Sequence, residues 1–506
     1  MLGAMEKLTV GESPSELSLA DVVASAEEQN RDIKQNFTLL CTEPFILGST
    51  VHAQLNTRAE LLADENGKVH TIYGRDKYIS GVLLEVVHDA VQQTAISDYT
   101  YRLLKLLQDN PDDKAYRAVI LQQISNVCHF EYGRVKAAFQ RTLHRGVKTR
   151  NGKDLFKRQS GALDKFGNPR VKMAFNPGDL AKTDPGLYCL TRFCLPETGY
   201  AEGAYWLSKM VEVEVKQPSL GDWLAKMHTA AFCDLVLLLG FIHDLNLGLT
   251  LPSTSRQKGQ TFVARSQDLA TELLALRSEV DIRDFTAPVS ALLKPGSSKG
   301  ALRALDQFII DKVGTKMGFL YDDLVEECLG SIDGEYEREK VRLARQEKKK
   351  EIENAEWIPF PVSAEMTTEK RIEQRREKEK TRPAHASPYD ISPAAPPAEE
   401  SVAESATSVF KVSAATAKVF STLFDNTQSR GAINWVDFES AMVELRFSIK
   451  PTSGSAYTFI PALGTGLKKF NAHRPHQGRI EGWRILHLAK RLTNMYGWGE
   501  KTFEIA

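Results

Sequence analysis

Between Gly334 and about Glu400 the chain changes character, and that break limits what the whole can fold into. Glu335 to Glu353 is nearly all charge, Lys370 to Lys380 is a second charged run, and Pro383 to Pro397 is rich in Pro, Ala and Ser. Such a segment cannot bury enough apolar area to offset its chain entropy. Glu and Lys or Arg neighbours at helical spacing let its first part hold a solvated helix, and the remainder reads as a linker. The flanking stretches must then build separate cores, and 506 residues leave room for two or three. The expected divisions are a tail at 1–30, a helical domain at 31–333, the linker at 334–408 and a small module at 409–500.

Lys and Arg balance Asp and Glu at 65 each, so any basic surface has to be local. The N-terminus is polar and acidic after Met5, without the basic-then-apolar order of a secretory leader. Ala230 to Leu251 is the most apolar stretch, but Asp234, His243, Asp244 and Asn246 interrupt it. A charge near the middle of a span costs roughly 2.5–3.5 kcal/mol on insertion scales, so a buried core helix is expected there and no membrane partner. Cysteines at 41, 128, 189, 194, 233 and 328 include no C-x-x-C pair. Buried thiols in a reducing compartment, cytoplasmic or nuclear, fit that pattern, and neither a metal site nor a cofactor is implied.

The expected fold class is mostly α: a helical N-terminal domain with a small β-hairpin, then the charged linker, then an α+β module. A short helix is expected near Ser18 to Asn30 and strand character from Phe37 to Tyr73. Asn66-Gly67 between Leu61-Leu62 and Val69–Ile72 carries the hairpin signal. Apolar residues at helical spacing then mark Ile79 to Thr94, a second helix after Ser97, and a third opened by Pro111-Asp112-Asp113. Pro218 and Asp222 are placed at the start of the most apolar helix. Arg134 to Lys172 holds twelve Lys or Arg against Asp154 and Asp164, and its glycines suggest a cationic loop. The pairs His88-Asp89 and His243-Asp244 invite comparison with metal-dependent phosphohydrolases, but the outlying ligands such a site requires cannot be placed.

In the last eighty or so residues, Ser413 to Phe424 reads as a helix, and a second, capped by Asn434, carries Phe438, Met442 and Leu445. Asp425 to Gly431 superficially suggests a calcium loop, but Gln428 and Arg430 fall at ligand positions and Arg cannot ligate a cation. Short alternating runs follow, and Ile480 to Tyr496 closes the unit with Trp483, Leu486, Leu488 and Leu492 on its apolar side. This gives the order αβββα. Lys468, Lys469, Arg474, Arg479, Arg484 and Arg491 are expected to point outward, as phosphate contacts for an RNA helix or another polyanion.

The aromatic-rich helix, Gly454-Ser455 before a strand, a His-containing third strand and a basic helix ending in Gly497-Trp498 together resemble HicA-type toxins. These are small ribonucleases on a double-stranded-RNA-binding-like αβββα fold, and the likeness covers about a sixth of the chain. The Arg-Arg-Glu-Lys-Glu-Lys-Thr-Arg-Pro run at 375–383 is also similar to fungal proteins of the "ipa protein" type. The resemblance places Tyr457 where the toxins carry their working histidine. A phenol of ordinary pKa near 10 is a poor general base at neutral pH. It also implies a role for His473, and His476 supplies a second imidazole. Two readings follow: an interaction or scaffold protein with a non-catalytic RNA-binding module, its N-terminal domain free for protein partners, or a ribonuclease using His473 and His476.

Overall fold

The structure, a computed structural model, describes residues 18–69, 77–146, 154–163, 168–193, 195, 197–216, 230–255, 257–354, 410–424, 432–451, 456–462, 465, 467, 470–474, 478–480 and 483–505. Helix α1, Leu19–Thr42, opens on a capping box in which Asp21 N–H donates to Ser18 Oγ at 3.2 Å and Ser18 N–H donates to Asp21. Its Val22, Val23, Ala26, Phe37 and Leu40 belong to the main core, so residues before 31 are part of the folded unit. Pro44 then opens α2, Pro44–Asn56, with Leu47 and Val51 buried. The expected strand from Phe37 to Tyr73 is therefore helical over most of its described length. Phe37/Leu40 and Leu47/Val51 are spaced for a helix face, and Pro44 sits at the first turn, where no backbone donor is needed. The Asn66-Gly67 turn does form: Gly67 has φ 79°, and the Asp64 carboxylate accepts the Asn66 and Lys68 N–H groups at 2.9 and 2.8 Å. On its first side stands a 3-10 turn, Ala59–Leu61, in place of the expected strand, and the second run from residue 70 on lies outside the described residues. Asp64 bridges to Arg158.

Two helices of thirty-three residues, α3 (Lys77–Asp109) and α4 (Lys114–Gly146), form the spine, each about 50 Å long. The three helices expected from Ile79 onward merge into these two. The break falls where the Asp113 carboxylate accepts the Ala115 and Tyr116 N–H groups, capping α4. Arg134 to Gly146 lies inside α4, and most of the remaining described residues of the presumed cationic loop form an antiparallel hairpin, β1 (Phe156–Leu163) on β2 (Pro169–Met173). The loop expectation failed because the cations at 134, 141 and 145 follow helical spacing and Phe156, Arg158 and Val171 alternate as strand residues do. Helices α5 (Pro177–Thr183), α6 (Pro185–Phe193) and α7 (Tyr200–Lys216) follow. Then α8, Ala230–Leu249, buries Leu235, Leu239, Ile242 and Leu245, as a core helix should. The proposed start at Pro218 and Asp222 lies outside the described residues. Helices α9 (Thr261–Ala275), α10 (Arg283–Thr286), α11 (Pro295–Val313) and α12 (Met317–Gly330) complete one continuous apolar core.

The charged segment does not begin as a linker. Helix α13, Ile332–Asn354, docks its first turns on α4: Tyr336 Oη donates to Asp113 at 2.8 Å, Gln123 donates to Glu335 at 2.8 Å, and Tyr336 meets Tyr116 edge-on. The N-terminal unit therefore extends past 334.

A second, separate core occupies the C-terminal residues. Its elements are β3 (Phe410–Val412), α14 (Ala414–Phe424), β4 (Ile433–Asn434), α15 (Trp435–Glu444), β5 (Ser448–Pro451), β6 (Ala456–Ile460), β7 (Phe470–His473), β8 (Arg479–Ile480), α16 (Trp483–Tyr496) and β9 (Phe503–Ile505). Strands β5, β6 and β7 form an antiparallel meander, β4 pairs antiparallel with β8, and β3 pairs parallel with β9. The αβββα order thus runs α15, β5, β6, β7, α16, with α14 and the two short strand pairs added. Asn434 holds the N-cap position of α15, but its side chain donates to Asp437 at 3.0 Å and caps no backbone group. The helix ends with Arg446 in the left-handed region (φ 65°), where Phe447 N–H reaches the Met442 carbonyl at 3.0 Å. The suspected calcium loop lies outside the described residues.

Candidate nucleic-acid interface

The meander positions the candidate site. In register, Pro451 faces Tyr457 and Tyr457 faces Ala472, while Lys450 faces Thr458 and Ala456 faces His473. Because strand residues alternate between faces, Tyr457, Phe459, Phe470 and Ala472 share one face, and Lys450 and Thr458 share the other. The first face is covered. Phe459 and Phe470 are fully buried and stack at 4.7 Å, Trp435 lies 6.1 Å from Phe459, and Phe438 lies 5.5 Å from it. Along the second face Ser448 and Lys450 are exposed. The same register gathers the end of β5, the start of β6 and the end of β7 at one end of the sheet, which places Lys450, Tyr457, His473 and exposed Arg474 together there.

The residues picked out in the sequence are distributed unevenly over this frame. Tyr457 is half-buried and packs on Trp435 at 5.5 Å, as part of the helix-covered side. The register sets positions 457 and 473 on opposite faces of the pleat, so one groove does not collect both. Arg479 is exposed on β8, just after Gly478 at φ 64°. Only the backbone of His473 and Arg484 is described, and Lys468, Lys469 and His476 lie outside the described residues. Sequence reasoning missed Lys450 and Arg446, both exposed; the alternation of Ile449 and Lys450 was the signal for the first.

Arg491 corrects its expectation outright. It is only 7% exposed, and its guanidinium pairs with Glu28 and, at 3.1 Å, with Asp32, both on α1. It also lies over the Phe470 ring at 5.7 Å. Among the described side chains, the apolar face of α16 is Ile485, Leu488, Ala489 and Leu492, which includes Leu488 and Leu492 of the set read from sequence. Position 491, three beyond Leu488 and adjacent to Leu492, is thereby carried to the edge of the buried side. Burial pushes the Asp32 carboxyl up to about 6; Arg491 opposes that rise and Glu28 adds to it.

In the N-terminal unit, His88 is buried and its Nε2 meets Tyr321 Oη at 2.8 Å, with Tyr321 equally buried. Burial opposes ionisation of Asp89, yet His88 at 3.8 Å and the Arg134 and Arg141 guanidinia hold it below the usual carboxylate range. With both rings sealed from solvent, this His–Tyr pair is packing chemistry. His243 is exposed on α8 and Asp244 is half-buried beside it. No group of three or more His, Cys, Asp or Glu able to hold a metal occurs among the described residues. Burial pushes the Cys41 and Cys128 thiols up to about 12 and Cys328 to about 11, which leaves them protonated and unreactive. Among the described residues, no helix is long and apolar enough to cross a membrane. No protein-family model, curated protein or solved structure matches this chain.

Proposed function

We propose that this is an interaction or scaffold protein whose C-terminal αβββα module binds RNA without cutting it. The observation that carries the reading is the end of the meander. There the strand register assembles Lys450 and Arg474 beside a sheet face that leaves Ser448 and Lys450 exposed. Phosphates dominate affinity for nucleic acid, and double-stranded RNA is read largely by shape and backbone, which suits a small cationic surface without a deep pocket. The resemblance to HicA-type toxins supports the same substrate class. Catalysis is disfavoured because the residue at the toxin's histidine position is a tyrosine packed against Trp435, out of phase in the ladder with His473. The helical unit serves protein partners, and the chain works in the cytoplasm or nucleus. The kinship with fungal "ipa protein"-type chains belongs to the same proposal.

The test is anisotropy of a labelled RNA hairpin with the full chain between roughly 50 and 200 mM salt, where binding through a few phosphates falls by an order of magnitude or more. Lys450→Ala and Arg474→Ala weaken binding to all sequences alike. Absence of binding at the lowest salt removes RNA from the account and leaves a protein-interaction role.

A further inference from the structure

One arginine expected on the RNA face is already occupied by anions from the same chain. The Arg491 guanidinium lies over the Phe470 ring of β7 and meets two carboxylates of α1. We propose that α1 is a built-in competitor for a second anion site of the module, on the helix-covered side of the sheet and apart from the exposed Lys450 face: Glu28 and Asp32 hold Arg491 in place of phosphate, and RNA must displace them to engage it. The proposal rests on the RNA-binding reading above.

Three observations carry it. First, the chemistry is matched. A guanidinium fork donates to carboxylate and phosphate oxygens in the same geometry, so either can satisfy Arg491. Second, Glu28 and Asp32 stand four apart on α1, one helical turn, and so reach one guanidinium from the same face. Third, two carboxylates crowd the one guanidinium. The groups facing Asp32 are Arg491 from α16 and Glu28 and Arg31 from its own helix, and Tyr496 of α16 lies near Glu28. Even with Arg491 beside it, Asp32 is held at a cost, since burial and Glu28 both act against its charge. A contact of this kind persists because the two units share a chain, which makes their encounter intramolecular. It is also one that a polyanion can replace.

The account is tested in the full chain with two readouts: anisotropy of the same labelled RNA hairpin, and hydrogen exchange of residues 19–42 and 483–496. Glu28→Gln/Asp32→Asn leaves the module's own residues untouched. If the closed form dominates by about tenfold, this variant binds RNA roughly tenfold more tightly than wild type. Its 483–496 amides exchange faster without RNA, and in wild type added RNA raises exchange in 19–42. Arg491→Gln weakens RNA binding and abolishes the gain from the α1 substitutions. Equal RNA affinity for wild type and Glu28→Gln/Asp32→Asn overturns the competition while leaving RNA binding intact. No RNA binding by either chain overturns the RNA reading and the competition with it. Unchanged exchange at 483–496 in Glu28→Gln/Asp32→Asn overturns the contact itself.

Discussion

The two cores of this protein are built from different materials. The N-terminal unit lines two long helices with Leu, Val and Ile, such as Val82, Leu83, Val87, Leu103 and Leu107 on α3 and Ile120 and Ile124 on α4. The C-terminal unit relies on rings. Phe420 stacks on Phe503 at 3.9 Å, Phe459 on Phe470 at 4.7 Å, and Trp435, Phe438, Phe447 and Trp498 fill the space between helices and sheet. A small domain has few interior positions, and aromatic side chains bury the most area at each. Charge follows the same division. The larger unit ties its cations into its own framework, with Arg277 on Glu85 at 2.6 Å, Arg58 on Glu60 at 2.9 Å, and Arg134 on Glu131 at 2.7 Å. The smaller one leaves Lys450, Arg474 and Arg479 exposed. The lesson is that the larger unit ties these cations to its own carboxylates, while the smaller one carries several cations exposed and engages Arg491 with carboxylates of the larger.

The largest effects come from the cores. Trp435→Ala removes a ring that is 1% exposed and should cost the C-terminal unit about 3–5 kcal/mol, leaving the helical unit's thermal transition in place. Phe139→Ala, fully buried on α4, should do the reverse on the same scale. Calorimetry of the full chain decides: if either substitution lowers both transitions equally, the two cores are one cooperative unit and the comparison fails.

A smaller effect is expected at Gly300 in α11. A methyl there meets the Phe285 ring at 2.4 Å, so Gly300→Ala should destabilise the helical unit by about 1–3 kcal/mol, read as a lower first midpoint in urea. A midpoint equal to wild type would show that the α10–α11 contact is loose.

The smallest is a pH dependence that differs between units. Burial against Phe156, with Arg141 adding to it, pushes the His144 imidazole down to about 4. A depressed folded pKa means stability that is present above the unfolded value near 6.5 and lost as pH falls from there. Asp32, raised to about 6, works in the opposite direction, so the difference from His144→Gln isolates the effect. Wild type should lose on the order of 1–2 kcal/mol relative to that variant between pH 7.5 and 5, after allowance for partial exposure. In the C-terminal unit the Glu444 carboxylate is held below its ordinary range by hydrogen bonds from Thr416 and Ser413. Its contribution is lost only below about 4.5, so that unit's transition should hold across the same interval.

Much of this was legible in the sequence, for reasons that differ by region. The αβββα order could be read because alternation in Tyr457-Thr458-Phe459 and helical spacing in Phe438 and Met442 are short-range patterns that tertiary packing kept. The length of α3 could not, because a helix that runs past Ser97 shows no more local signal than two helices joined there. Phe37 to Leu61 misled because β-branched and aromatic residues suit strands equally well until a packing partner is known. At Arg491 the residue type pointed outward, but its fate was set by two carboxylates more than 450 positions away. Spacing along α16 carries no information about them.

The most direct test of the central claim is a single-turnover assay on labelled RNA with wild type, Tyr457→His and His473→Ala, resolving bound from cut RNA on one gel. The account predicts that wild type shifts RNA at low salt and cuts none. Tyr457→His, which gives up ring packing on Trp435 and stays out of phase with His473, should gain no cleavage. Cleavage by wild type that disappears in His473→Ala would contradict the claim and establish the module as a ribonuclease.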